Sequence, residues 1–326
     1  MFVAILLLLV GFAILIFGAD FLVNGASSIA KKNGISNLAI GLTVVAFGTS
    51  MPELVVSLVS ALQGKNDASF GNVVGSNNFN LLFILGVAGL IYPLVVQRNT
   101  VKYEVPLSLL AAGVLYVLVN DLDLWGPGPA DNPSTNLLSR FDSIVLLVFF
   151  GLFLMYIYRT MRTSSDMEEG EPIKLHSTGK SILMIVGGLA GLIGGGELVV
   201  DSAIKIAHSF GLSEKLIGLT ILAAGTSLPE LATSCVAAYR KNTDIAIGNV
   251  VGSNIFNIFF ILGITGVIHP IPYSTAMNFD IQVLMASTII LMIFMFTLNT
   301  RKLDRWEAFI LLMSYVAYVV YLVSID

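Results

Sequence analysis

The chain has 326 residues, 56% of them hydrophobic and only 12% charged, with a mean hydropathy of +0.87, which excludes a soluble domain and points to an integral membrane protein. The net charge of −4 resides mainly in loops and offers nothing to a nucleic acid. A single cysteine, Cys235, excludes disulfides within the chain and argues against a thiolate metal cluster.

About 20 mostly apolar residues carry a helix across a hydrocarbon core of about 30 Å. Segments 2–24, 36–61, 69–92, 105–120, 142–161, 181–207, 214–238, 246–269, 280–298 and 306–324 meet that requirement. The opening run MFVAILLLLVGFAILIFG has no positive n-region and is too long for a signal-peptide core, so it reads as the first span. After the fifth span, TSSDMEEGEPIKLHSTGK (163–180) is polar and acidic and reads as a solvated cytosolic linker, too short to hold a regulatory domain. Five spans lie on each side of it, in 1–162 and 181–326.

Orientation follows from the basic residues. With the N-terminus outside, the inward loops carry Lys31, Lys32, Arg98, Lys102, Arg159, Arg162, Lys174, Lys180, Arg240, Lys241, Arg301, Lys302 and Arg305, and the outward side keeps Lys65, Arg140, Lys205 and Lys215. Both termini are therefore expected outside a plasma (inner) membrane that the chain crosses many times.

A shift of 177 lays the chain on itself. Gly41 falls on Gly218, Glu53 on Glu230, Asn80 on Asn257 and Pro93 on Pro270, and about 30 of the 53 positions from 41 to 93 are identical without a gap. An odd number of spans before the linker makes the second copy start on the opposite side of the membrane. The expected fold is all-α, with ten transmembrane helices as two inverted five-helix repeats. Transporters of that design put their site near the bilayer midplane, where interrupted helices from the two halves meet.

Two duplicated motifs interrupt the apolar spans. In AFGTSMPELVVS (46–57) and AGTSLPELATS (224–234), Gly48 frees the backbone and Pro52 lacks an N–H and clashes with the carbonyl of residue 48, so a helix break belongs there. Carbonyls near Ala46 and Ala223 then become candidate ligands. Thr49 with Glu53, and Thr226 with Glu230, stand four residues apart on one helical face, flanked by Ser50 and Ser227. The hydroxyls alone could simply bond back to helix carbonyls. The carboxylates cannot be dismissed so easily, because one charge at the bilayer centre costs roughly 2.5–3.5 kcal/mol.

The second motif, GNVVGSNNFN (71–80) and GNVVGSNIFN (248–257), sets Ser76 four residues before Asn80 and Ser253 four before Asn257. Its glycines also suit close helix packing. Carboxylate, hydroxyl, amide and carbonyl oxygens without imidazole or thiolate favour a hard cation such as Ca2+ over a transition metal. Asp20, aligned with Glu197, and Asp201 one turn later are further acids that either line an ion path or reach the interface.

On these paired motifs the sequence resembles the sodium/calcium exchanger family of cation/calcium antiporters, over essentially its whole length. The resemblance implies that Glu53 and Glu230 bind both Ca2+ and Na+, with hydroxyls from Thr49, Thr226, Ser50, Ser227, Ser76 and Ser253 and carbonyls from Ala46 and Ala223 completing the site. Family members that depend on K+ carry Asp where this chain has Asn257, which weakens the case for K+ coupling and keeps K+ as a further candidate. The short linker lacks the large calcium-sensing region of animal exchangers.

The resemblance and the two carboxylates together imply a secondary antiporter that exchanges Na+ for Ca2+ by alternating access, with no cofactor, no enzymatic activity, the lipid bilayer as partner, and a monomer as a compatible state. Two ionised glutamates compete for one Ca2+ or a few Na+, and an empty site leaves them repelling in low dielectric, which disfavours leak. The alternatives are a K+-dependent exchanger or a proton/calcium antiporter on the same scaffold, and a cation channel, which would pass current without a counter-ion. An intramembrane enzyme lacks a nucleophile and base pair.

Overall fold

The structure, a computed structural model, describes residues 2–121, 136–161, 174–210, 223–297 and 301–325. Most of the expected linker (163–173) and the start of the expected seventh span (214–222) lie outside the described residues. In chain order run α1 (Phe2–Asn33), α2 (Asn37–Thr49), α3 (Met51–Leu62), α4 (Asn66–Ile91), α5 (Thr100–Val119), α6 (Arg140–Thr160), α7 (Thr178–Ser209), the short α8 (Ala223–Gly225), α9 (Leu228–Tyr239), α10 (Thr243–Ile268), α11 (Thr275–Phe294) and α12 (Arg305–Ile325). Among the described residues eight helices are long and apolar enough to span a membrane, or nine if the bent pair α2 and α3 is one span. The protein is thus an all-α, multi-pass membrane protein.

Where the elements start and stop follows local chemistry. α1 runs on to Asn33 rather than stopping at 24, because Ser27 and Ser28 are buried in its extension, where Ser28 Oγ accepts from Ser181 Oγ at 3.0 Å and from the His176 N–H at 2.9 Å. Lys31 and Lys32 suit the negative end of its dipole, and Gly34, at φ 62°, turns the chain out of the helix. Ser36 then caps α2, its Oγ accepting the Ala39 N–H at 3.1 Å. The break expected at GTSMPE is present: α2 and α3 meet at 45° across Ser50, and Pro52 sits in the first turn of α3, where its missing N–H costs nothing. Ser227 and Pro229 repeat the arrangement between α8 and α9, with Ser50 at φ −84°, ψ 8° and Ser227 at φ −88°, ψ 6°.

α4 and α10 form the centre. Their most apolar stretches are 72% and 78% buried, against 17–39% for the other full-length spans, which turn side chains such as Phe2, Leu9, Phe17, Trp306 and Val320 outward as lipid-facing helices do. Around this centre the two halves interlock reciprocally. Gly86 of α4 packs against Ala308 and Leu312 of α12, while its counterpart Gly263 of α10 packs against Ser143 and Leu147 of α6.

Outside the core, α1 and α7 touch backbone to backbone. Ala4, Gly11, Gly18 and Gly25 on α1, and Ser181, Gly188, Gly195 and Ser202 on α7, recur every seventh position and are buried. A Cβ on Gly18 would lie 2.9 Å from Gly188 O, and one on Gly195 would lie 3.1 Å from Gly11 O, so the two helices run antiparallel with their backbones in contact at these glycines.

Candidate cation site

The break residues of one half face the carboxylate of the other. Ser50 Oγ donates to Glu230 Oε1 at 2.8 Å, and Ser227 Oγ lies 3.1 Å from Glu53 Oε1. Thr49 lies beside the Glu230 carboxylate and Thr226 beside that of Glu53. Each carboxylate is thereby set against the helix break of the opposite half. Thr49 and Glu53 do not act as the same-face pair their spacing suggests, since the break falls between them.

The central helices supply the second layer. Ser76 Oγ lies 3.3 Å from Glu53 Oε1 and 3.0 Å from Ser227 Oγ, while Ser253 Oγ lies 3.3 Å from Glu230 Oε1. One turn further on, α4 and α10 each contain a π-helical turn, Phe79–Ile84 and Phe256–Leu262, which carries Asn80 or Asn257. Asn80 Nδ2 donates to Asn254 Oδ1 at 3.0 Å, and Asn257 Nδ2 to Asn77 Oδ1 at 2.9 Å. The donor ends of both amides are thereby fixed and their oxygens left over.

Ser50, Glu53, Ser76, Asn80, Ser227, Glu230, Ser253 and Asn257 are all buried, with Glu53 at 0% and Glu230 at 1% exposure. Glu53 Oε2, Glu230 Oε2, Asn80 Oδ1 and Asn257 Oδ1 have no hydrogen-bond partner. An orphaned buried acceptor costs about 1–3 kcal/mol, and more when it is charged. Four of them are paired across the duplication, and oxygens of these types are what a hard cation takes. No lysine or arginine bonds to either carboxylate among the described residues.

Thr49 Oγ1 lies 3.1 Å from Val45 O, 3.3 Å from Ala46 O and 3.1 Å from Asn249 Oδ1, and its one proton serves one of them. Half-buried Thr226 has the matching contact, 3.3 Å to Asn72 Oδ1. The Ala46 carbonyl is not freed by the break: it accepts the Ser50 N–H at 3.0 Å, leaving one lone pair for an ion. The backbone of Ala223 opens α8; its side chain lies outside the described residues.

The expected residues omit four structural amides. Asn72 Nδ2 donates to Glu53 O at 3.0 Å and to Ser57 Oγ at 2.8 Å, and Asn249 Nδ2 to Glu230 O at 3.2 Å and to Ser234 Oγ at 2.9 Å, so each clamps a carboxylate-bearing turn to its own central helix. Asn77 and Asn254 donate to each other's backbone oxygens at 3.2 and 3.3 Å where α4 crosses α10. All four are duplicated amides in apolar spans, and the burial cost that singles out Asn80 and Asn257 applies equally to them.

The sequence profile of the sodium/calcium exchanger protein family matches residues 3–159 and 180–324. The chain belongs to the sodium/calcium exchanger family. A member of it is a cation/calcium antiporter rather than an enzyme. This exchanger-family chain is 33% identical to the sodium/calcium exchanger MaX1 of Methanosarcina acetivorans over 97% of each chain, and 37% identical to the inner membrane protein YrbG of Escherichia coli K12 over 83% of this chain and 81% of that one. Its fold superimposes on the sodium-calcium exchanger NCX_Mj, solved after soaking with Na+ and Sr2+, with a TM-score of 0.80, 31% identity and 97% coverage of both.

Proposed function

We propose that the protein exchanges Na+ for Ca2+ across the membrane, and that both ions use the site built by Glu53 and Glu230. The observation that carries this reading is the set of four unpartnered buried oxygens, two carboxylate and two amide, related by the duplication. Thr49, Ser50, Ser76, Thr226, Ser227 and Ser253, with the Ala46 and Ala223 carbonyls, complete the ligand set. One Ca2+ or a few Na+ balance two ionised carboxylates, so the ions compete, and a site carrying neither keeps two like charges in low dielectric. That penalty couples the two fluxes.

Alternating access is assigned to the α1 and α7 pair, whose glycine-lined interface lets it shift as a unit across the core. Ten spans in two inverted repeats, 1–162 and 181–326 joined by the cytosolic linker 163–180, with both termini outside, is the accompanying topology; the antiparallel packing of the equivalent helices α1 and α7 supports it. Asn257 in place of an acid favours K+ independence, and a monomer contains every ligand named.

Ca2+ uptake into vesicles containing the purified protein tests the proposal, with the Na+, K+ and H+ gradients varied one at a time. Uptake should follow the Na+ gradient alone. Uptake that follows a pH gradient at constant Na+ would replace Na+ by H+ as the coupling ion, and current without a counter-ion would make the protein a channel.

A further inference from the structure

Two loops far apart in sequence are stitched together at one end of the bundle. Leu94 and Val95, after α4, pair antiparallel with Leu303 and Lys302, before α12, and the Val96 N–H extends the ladder by donating to Arg301 O at 2.8 Å. Arg301 itself sits at φ 63°, turning the chain into this ladder. The first residues of α5 form a π-helical turn, Thr100–Glu104, that directs Lys102 outward beside Arg98. Between these pieces lies a cavity of about 490 Å³ lined by Arg98, Val101, Lys102, Phe296 and Arg301.

Among the described residues none of the three cations of this cavity has an acidic partner, whereas the neighbouring loop cations are engaged: Lys302 pairs with Asp304 at 3.1 Å, and Arg305 Nη2 donates to Ile91 O at 3.4 Å. Lys102 Nζ meets the Tyr103 ring, 5.0 Å away. No acid lines the cavity among the described residues, and exposed Phe296, two residues past the end of α11, forms an apolar wall next to the charges.

The duplication provides an internal comparison. The shift of 177 carries Arg98 onto Thr275 and Lys102 onto Phe279, while Leu94 and Val95 fall on Ile271 and Pro272, which make the other short ladder with Leu137 and Leu138. A cavity beside that ladder, lined by Lys65, Asp67, Pro272 and Tyr273 among others, is built from other positions than the shifted counterparts and mixes both signs. The fold therefore builds the ladder without cations at the positions equivalent to Arg98 and Lys102. A general excess of Lys and Arg on one membrane side accounts for their sign but not for their convergence on one unpaired cavity.

We propose that this cavity binds the phosphate headgroup of an anionic phospholipid. Guanidinium groups match phosphate oxygens in a two-pronged geometry, Lys102 adds a point charge, and the acyl chains leave along Phe296 into the bilayer. The apolar wall at the end of a spanning helix favours a lipid over free phosphate, which has nothing to place there.

The test is lipid binding to the full-length protein in detergent, read by native mass spectrometry and by the thermal shift on adding phosphatidylglycerol, phosphatidylcholine or inorganic phosphate. Phosphatidylglycerol should bind and raise the melting temperature, and phosphatidylcholine should not. The double variant Arg98→Gln with Lys102→Gln, and separately Arg301→Gln, should each weaken phosphatidylglycerol binding at least about fivefold, the loss of roughly 1 kcal/mol per phosphate contact. Arg159→Gln, a basic residue of the same membrane side outside the cavity, should bind as the wild type does. The thermal shift produced by Ca2+ reports that each variant is folded. Equal lipid binding by folded cavity variants and wild type, an equal loss in Arg159→Gln, or an inorganic-phosphate shift matching that of the lipid would each overturn the proposal. None of these outcomes depends on which ion drives transport.

Discussion

Ser50 and Glu230, 180 positions apart, are joined by a 2.8 Å hydrogen bond in which the serine of one broken helix serves the carboxylate of the other. Removing the hydroxyl as Ser50→Ala takes away the 2.8 Å contact to Glu230 Oε1 and leaves the 3.3 Å contact from Ser253 Oγ. A hydrogen bond to a charged group contributes about 1.5–3 kcal/mol. The expected result is Ca2+ affinity reduced by about tenfold or more in a folded protein, measured by calorimetry. Unchanged affinity would remove Ser50 from the ligand framework.

Glu53→Gln and Glu230→Gln should each abolish Na+-driven Ca2+ flux. Truncating one partner of a buried charge interaction costs about 2–5 kcal/mol, at least ~30-fold in affinity, and leaves Ca2+ under-neutralised. Vesicle uptake of labelled Ca2+ measures it, and near wild-type transport by either purified variant would sink the assignment of the site.

Asn257→Asp places a third carboxylate beside the other two while keeping the side-chain volume. It removes the Nδ2 donor to Asn77, which costs stability but leaves the central crossing held by Asn77 and Asn254. The family resemblance ties an acid at this position to K+, so flux in the variant is expected to respond to added K+ where the wild type does not. A wild type that already needs K+, with an identical Asp variant, would show that residue 257 does not set selectivity.

Asp20 on α1 forms an ion pair with Arg240, which also donates to Asn24 Oδ1 at 3.0 Å, tying α1 to the end of α9. The equivalent acids of α7, Glu197 and Asp201, are exposed. Asp20 and Arg240 are each about a third exposed, so the pair contributes about 0.5–1 kcal/mol. Asp20→Asn and Arg240→Gln should each change the exchange rate about two- to fivefold without changing Ca2+ affinity, and the double variant should go no further. Additive effects in flux measurements would show that the two residues act separately.

Gly188→Ala drives a Cβ to 2.7 Å from Gly18 O and Leu22 N, both backbone atoms that cannot move alone. Overpacking of this kind costs about 1–3 kcal/mol. The melting temperature in detergent should fall, while Gly187→Ala, where a Cβ meets nothing within 4 Å, should leave it unchanged.

Much of this molecule is legible along the chain because the relevant physics is local. Hydropathy marks the spans, Gly48, Pro52 and Pro229 place the breaks, and the cost of burying a carboxylate or amide picks out Glu53, Glu230, Asn80 and Asn257 before any partner is known. The shift of 177 also implies that a contact made by one copy has a counterpart in the other. What the linear order cannot express is which copy answers which. The serines serve the opposite carboxylate, Asn72 and Asn249 clamp the turns of their own halves, and Arg301 meets Arg98 and Lys102 through a two-residue ladder. Each of these pairings depends on how whole helices pass one another, a choice set by close glycine packing and the burial of α4 and α10, and no window of the sequence contains both partners.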